Sequence, residues 1–316
     1  MLAQAKTGMM KKKIGLGETL KKDWRKNKVA YLIVLPVLIY YILFHYKPIY
    51  GAIIAFENFR PSDGIMGSEW VGLEHFINFF KSRSFWTVLK NTFSISLSSI
   101  LFGFPAPIIF ALLLNEMTNK KMAGAIKTIS YMPYFISLVV ICAMIKTFVA
   151  GDGLIGGAVN SLLGTKGSLL DRPNCFVPIY IISNIWQGVG WDSIIYVAAL
   201  SGVSMELYEA AEIDGCGRWN KMRYVSLPGI ATTIIIMFIL KVGGMLSVGY
   251  EKIILLYNPL TYETADVINS YVYRKGIQEF NYSYSTAVGL FNSVVNFLLL
   301  IIANSVSKKV SDTGIM

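Results

Sequence analysis

Six apolar blocks, each about 18 residues or longer, constrain this 316-residue chain more than any other feature. They cover about residues 29–46, 85–115, 127–149, 176–200, 227–249 and 284–306. A helix of about 20 apolar residues crosses a hydrocarbon core of roughly 30 Å. Backbone N–H and C=O groups in lipid must be satisfied within the segment or in a closed barrel. The ten-residue alternation of a membrane barrel is absent, so the expected class is an all-α integral membrane protein with six transmembrane helices. Only 15% of residues are charged and 54% are hydrophobic, far from the roughly 25% charged of a soluble domain.

Charge gives the orientation. Nine Lys/Arg fall in residues 1–28, three in 116–127, three in 201–226 and two after 306, of 29 in all. The cluster Lys11, Lys12, Lys13, Lys21, Lys22, Arg25, Lys26 and Lys28 dominates. Positive residues mark the inner side, which puts both termini in the cytoplasm and the chain, multi-pass, in the plasma membrane. The net charge of +10 then reflects topology and contact with anionic lipid, not nucleic acid. The division is a basic cytoplasmic segment 1–28, a transmembrane domain 29–306 with a cytoplasmic loop 201–226, and a cytoplasmic tail 307–316. The first span lacks an A-x-A-like exit and reads as retained.

Several signals are negative. GDGLIGG (Gly151–Gly157) matches G-x-G-x-x-G but follows a span instead of a strand, so it is expected to be a flexible outer loop. There is no G-x-x-x-x-G-K-[ST], G-x-S-x-G or H-E-x-x-H. Three cysteines and two histidines without paired spacing argue against a metal centre or disulfide framework. Catalytic residues and chain-bound cofactors are therefore not expected.

Polar residues inside the spans set the candidate path. Asn184, Gln187, Gly188, Trp191 and Asp192 share one helical face, and Ser285, Gly289, Asn292 and Asn296 repeat the pattern in the last span. Small and amide residues pack helices together, whereas a charge such as Asp192 or Lys241 usually faces an aqueous cavity. Prolines 36, 105, 107 and 133 predict kinks. The outer stretches, about 47–84, 151–175 and 250–283, are aromatic belt, partner surface, or both.

Between spans four and five lies EAAEIDGCGRWNKMRYVSLP, a charged, glycine-broken pair of short helices. Glu206, Glu209 and Glu212 recur every three residues, leaving Leu207, Ala210 and Ala211 for close contact. Asp214 is expected to cap the second helix, with Gly215 in the left-handed turn. Leu227-Pro228 is expected to open span five.

This stretch resembles the E-A-A-x-x-x-G loop, with its downstream Leu-Pro, of binding-protein-dependent ABC importer permeases. Glu209, Ala210, Ala211, Asp214, Gly215, Trp219, Leu227 and Pro228 stand at the motif positions; Cys216 and Met222 depart from it mildly. NIWQGVGWDSIIYVAALSGVSMELYEAA, YNPLTYETADVINSYVYR and YSTAVGLFNSVVNFLLLIIAN resemble the carbohydrate-uptake branch, especially permeases for oligosaccharides from complex polysaccharides. The resemblance implies a type I ABC importer permease fold, with five core helices and an N-terminal one. It also implies a second, different permease subunit, two cytoplasmic ATPase subunits that hold ATP and Mg, and an extracellular sugar-binding protein. The loop, with Glu206, would be the coupling helix. For the sugar, Asn184, Gln187, Trp191, Asp192, Asn292 and Asn296 are the candidates. An ion-coupled secondary sugar carrier remains the alternative, and would show repeats around a midplane ion site. A membrane enzyme is a third reading; no catalytic constellation supports it.

Overall fold

The computed structural model describes residues 16–311, so Lys11, Lys12 and Lys13, with the rest of 1–15 and 312–316, lie outside the described residues. The chain divides into two units, residues 1–53 and 54–316.

The first unit is helical. Helix α1, Leu16–Tyr41, is interrupted at Asn27 (φ −117°, ψ 23°) and contains Pro36; a π-turn, Ile42–Tyr46, extends it. Residues 26–50 are exposed on every side although most are apolar. A helix apolar all round requires lipid or protein about it.

The second unit opens with a two-residue hairpin. Glu57–Asn58 pairs antiparallel with Glu69–Trp70, Glu57 opposite Trp70. Helix α2 (Arg83–Ser98) begins where Ser82 accepts from the Phe85 N–H, and a π-turn at Ser99–Gly103 leads into α3 (Pro105–Asn115). Pro105 sits in the first turn of α3, where its missing N–H costs least.

Residues 127–149 are not one helix. Helix α4 (Lys120–Tyr131), capped by Asn119, ends at a 3-10 turn carrying Pro133, and α5 (Leu138–Val149) follows. GDGLIGG is not a loose loop either: Gly153 caps α6 (Leu154–Leu163), and Gly156 lies in its first turn. A Cβ at Gly156 would meet the Ala150 carbonyl oxygen at 1.9 Å, so these glycines permit close packing.

Helix α7, Pro173–Leu200, is the organising element. It packs along α3 and α4. Gly190 lets it approach α4 so closely that a Cβ there would lie 2.2 Å from the Ser130 carbonyl oxygen. Two short helices follow, α8 (Met205–Ile213) and α9 (Arg218–Lys221), then α10 (Ala231–Gly243). The expected span 227–249 is thus shorter as a helix, because Ile230 leaves helical geometry at one end and glycines end it at the other. An irregular segment holds α11 (Tyr250–Leu256) and α12 (Ile268–Tyr273) before the last helix, α13 (Tyr282–Ser311), which packs on α10.

Among the described residues, four helical stretches are long and apolar enough to cross a membrane: Lys26–Phe56, Arg83–Asn115, Leu138–Leu163 and Tyr282–Lys308. Two bent pairs raise the number to six: α7 with α8 at 79°, and Arg218–Gly229 with α10 at 64°.

The tight α4–α7 crossing yields a test. Gly190→Val should cost roughly 1–3 kcal/mol through overpacking, whereas Gly124→Ala, with open space around it, should be neutral. Thermal unfolding in detergent, measured side by side, checks the difference; equal midpoints would refute the close contact.

Candidate functional site: a polar cavity and a charged elbow

The polar face of α7 opens onto a cavity of about 380 Å³. Asn184, Gln187, Gly188 and Asp192 form one wall; Ser96, Tyr134 and Lys241 contribute others. A second cavity, about 730 Å³, shares Asp192 and Lys241 and adds Trp191 and Tyr196. Asp192 and Lys241 thus line both cavities. Yet ion pairs within 4.0 Å, among the described residues, are Glu212–Lys221, Asp266–Arg274 and Glu279–Lys275 alone. Both charged groups of the path therefore stay available to water or solute.

Four sequence candidates thus meet at one cavity or its neighbour, with one adjustment. Trp191 stacks on Tyr134 at 4.5 Å between ring centroids, with the planes 5° apart, so that indole face is covered. Phe135 meets it edge-on. Tyr134 carries the aromatic surface into the first cavity.

Asn292 and Asn296 are placed elsewhere. Asn292 is buried and donates to Asn269 Oδ1 at 3.0 Å. Asn296 accepts from the Leu246 N–H at 2.9 Å and donates to Ser247 Oγ at 2.9 Å. Both satisfy polar groups of the segment that follows α10, and neither lines the two cavities. Their spacing signalled a face turned from lipid, which packing explains.

Sequence reasoning missed Lys252. It is 4% exposed, and its Nζ donates to Asn184 Oδ1 at 2.8 Å and to Gln187 Oε1 at 3.4 Å, 5.9 Å from the Tyr180 ring centre. The signal was present in YEKIILLY, a lone lysine before an aliphatic run, but it fell in a stretch taken as outer loop.

At its C-terminal end α7 turns into the elbow. Ser204 caps α8, accepting from the Glu206 N–H at 3.2 Å. Glu206, Glu209 and Ala210 are exposed; of the expected close contacts only Ala211 is buried, and Leu207 is 54% exposed. Gly215 takes φ +76°, with its N–H on Glu212 O and the Cys216 N–H on Ala211 O, the paired bonds of a Schellman closure. The expectation that Asp214 caps the next helix is corrected: Asp214 ends α8, and Gly217 precedes α9. The closure uses backbone groups alone, so no side-chain cap is needed.

Trp219 is 72% exposed. Lys221 reaches back to Glu212 at 2.6 Å. That hydrogen bond and charge hold the Glu212 carboxyl below its ordinary pKa and the Lys221 ammonium above its own. Leu227 and Pro228 do not open the span. They lie in the last turn of the second elbow helix, and buried Ile230 (φ −106°, ψ 8°) is the hinge into α10. The Tyr208 hydroxyl bonds Ser226 Oγ at 2.9 Å and accepts from Asn115 at 3.4 Å, tying the elbow to α3. Ile230 packs with Ile108, Ala111, Leu112, Tyr196 and Leu200. The elbow is thus fixed to three helices that descend from the cavity region.

A cavity on a membrane-spanning helix joined to an exposed, charged elbow is the arrangement expected of a permease. The family model for the binding-protein-dependent transport system inner membrane component matches residues 103–312. The chain belongs to this family. Protein LplB of Bacillus subtilis is 40% identical over 302 residues, covering 95% of each chain. The polygalacturonan/rhamnogalacturonan transport system permease protein YteP of Bacillus subtilis is 40% identical over 307 residues, 93% of this chain and 95% of the relative. A solved bacterial alginate ABC transporter, in complex with an alginate pentasaccharide-bound periplasmic protein, contains a chain with TM-score 0.86 and 40% identity. The match covers 94% of this chain and 100% of that one. The fold is therefore that of a type I ABC importer permease, an all-α integral membrane protein, and the chain is a transport subunit rather than an enzyme.

The placement of Asn296 predicts a local effect. Asn296→Leu removes both bonds to the chain after α10 and strands the Leu246 N–H, at a cost of about 1–3 kcal/mol. Amide exchange at Leu246 and Ser247 should quicken about tenfold or more, with α7 amides unchanged. Unaltered exchange at Leu246 would contradict the assignment.

Proposed function

We propose that this chain is one permease half of an ATP-driven importer in the plasma membrane, translocating an oligosaccharide delivered by an extracellular binding protein. Its partners are a second, different permease subunit and two cytoplasmic ATPase subunits that bind ATP and Mg. The observation that carries the reading is α7: one helix bears the cavity wall at Asn184–Asp192 and continues into the elbow. Force applied at Glu206–Pro228 therefore reaches the solute path through a packed lever. The relatives whose names print polygalacturonan, rhamnogalacturonan and alginate support a carbohydrate cargo. A binding-protein-dependent family leaves no need for ion coupling, which disfavours the secondary carrier.

In this reading the elbow lies in the cytoplasm with both termini. Glu209, Ala210, Ala211, Asp214, Gly215 and Trp219 form the ATPase contact, with Leu227 and Pro228 at its root and Glu206 at its rim. Asn184, Gln187, Trp191 and Asp192 contact the sugar. Asn292 and Asn296 shape that path indirectly, through the segments they hold.

Two measurements test this. Half-buried Cys216 should resist an impermeant thiol reagent in sealed cells and react once the cells are opened; labelling in sealed cells would overturn the orientation. Glu209→Lys and Gly215→Val should each cut uptake at least tenfold while ATP hydrolysis and membrane insertion persist. The second forces a left-handed residue to carry a branched side chain, at about 1–2 kcal/mol. Normal uptake in both would remove the elbow from the mechanism.

A further inference from the structure

Asn292 does not reach the α7 cavities, but the residue it holds reaches another. Its Nδ2 donates to Asn269 Oδ1 at 3.0 Å, which leaves the Asn269 NH₂ as a donor. Half-buried Asn269 lines a cavity of about 530 Å³ walled by α11, α12 and the first turns of α13. Three half-buried tyrosines, Tyr250, Tyr273 and Tyr282, converge on the same space. Neighbours brace their rings: Tyr250 and Tyr273 lie 6.2 Å apart, and Tyr282 lies 6.2 Å from Phe59 and 6.4 Å from Phe280. Ser285 and Thr286 both donate to the Tyr282 carbonyl, at 3.0 and 2.7 Å, so toward the cavity they offer lone pairs alone. Gly276 closes the wall on α13, where a Cβ would stand 2.6 Å from Ser285 Oγ. Among the described residues the lining carries no charged side chain. The two cations next to Tyr273 in the chain are engaged elsewhere, Arg274 by Asp266 and Lys275 by Glu279.

We propose that this tyrosine-lined cavity is a second saccharide site, separate from the α7 cavities, that binds an uncharged pyranose unit. The C–H face of the sugar packs on the tyrosine rings, and its hydroxyls meet the Asn269 NH₂ and the phenol hydroxyls, which both donate and accept. A volume of about 530 Å³, mostly aromatic and apolar walls and a few convergent polar groups are the makeup of a small-molecule site. Tyrosines of an interfacial belt point outward to lipid headgroups, whereas these three turn inward on one amide. Without a charge to read, the site recognises ring and hydroxyls, in contrast to the α7 cavities with Asp192 and Lys241. Gly249 lines the first α7 cavity and the next residue, Tyr250, lines this one, so the two sites are neighbours across one segment. The inference rests on the reading of this chain as an oligosaccharide permease and adds a binding site to it.

The test uses the assembled importer in nanodiscs, without the binding protein, and a neutral galactose trimer that carries a photoreactive diazirine. In the wild-type complex, mass spectrometry should find label on peptides containing Tyr250, Tyr273 or Tyr282 as well as on α7. Tyr273→Leu should cut labelling of the tyrosine cavity about tenfold or more, while α7 in the same sample stays within about threefold. Tyr273→Phe, which keeps the ring face, should stay within about threefold of wild type at both places. Raising salt from about 0.05 M to about 0.5 M should change labelling of the tyrosine cavity less than about twofold, since no charge is there to be screened. Equal loss in both Tyr273 variants marks a structural tyrosine and overturns the proposal, as does label on α7 alone. Full labelling in Tyr273→Leu with weakened capture of the loaded binding protein makes the cavity a protein contact and also overturns it. Label at neither place refutes the saccharide reading of the chain itself, so the two failures are distinct.

Discussion

The structure depends on finding partners for polar groups that lipid cannot satisfy. Each unsatisfied backbone or side-chain polar group in hydrocarbon costs several kcal/mol, so irregular chain survives at membrane depth only when protein or a water-filled cavity surrounds it. The segment after α10 meets that condition through side chains from the spans. Asn91 of α2 donates to the carbonyls of Glu263 and Asp266 at 2.9 and 3.1 Å. Thr92 accepts from the Ile268 N–H at 3.0 Å, and Ser96 donates to the Met245 carbonyl. From α13, Asn296 supplies both a donor and an acceptor. The same links explain why Lys252 arrives behind the cavity: the segment that carries it is stitched to helices on several sides.

What remains after that stitching is the cavity. Its wall is the α7 stripe, where Lys252 holds the Asn184 and Gln187 oxygens, together with Asp192 and Lys241, which form no ion pair with each other. At 1.5 Å per residue, α7 is about 40 Å long, enough to join such a site to the membrane surface without a break. Gly190 and the cluster around Tyr196, Leu200 and Ile230 seat it against α3, α4 and the start of α10. A helix packed this closely responds to force by tilting with its neighbours, since interiors have little room to deform locally.

The sequence made the class, the number of apolar blocks and the elbow legible, because length and charge are one-dimensional properties. The face shared by Asn184, Gln187 and Asp192 was legible for the same reason: helical spacing is local. Asn292 and Asn296 have identical spacing logic, yet the partners that occupy them, Asn269, Leu246 and Ser247, come from a segment whose path no periodicity describes. Lys252 was hidden because a charge outside an apolar block reads as solvated, and only the fold of 244–281 buries it. Asp214 misled through its type. Aspartate favours helix starts, but Gly215 had already closed α8 with backbone bonds, leaving the cap of α9 to Gly217.

The elbow separates shape from recognition. Its one ion pair, Lys221–Glu212, lies at the surface, where solvent screens such pairs and they contribute little, so it is not what sets the bend. Geometry comes instead from the left-handed Gly215, from the Tyr208–Ser226 bond, and from Gly229, where a Cβ would come within 2.7 Å of Val203 Cγ2. Glu206 and Glu209 are therefore spared structural duty; among the described residues neither forms an ion pair. Around them Leu207, Ile213 and Trp219 are 54%, 88% and 72% exposed. Free carboxylates beside exposed apolar groups, on a backbone held rigid by other means, form a surface whose contacts can change without changing its shape. Under the proposed function, that independence is what would let a partner push on α8 while the bend carries the load into α7 and α10.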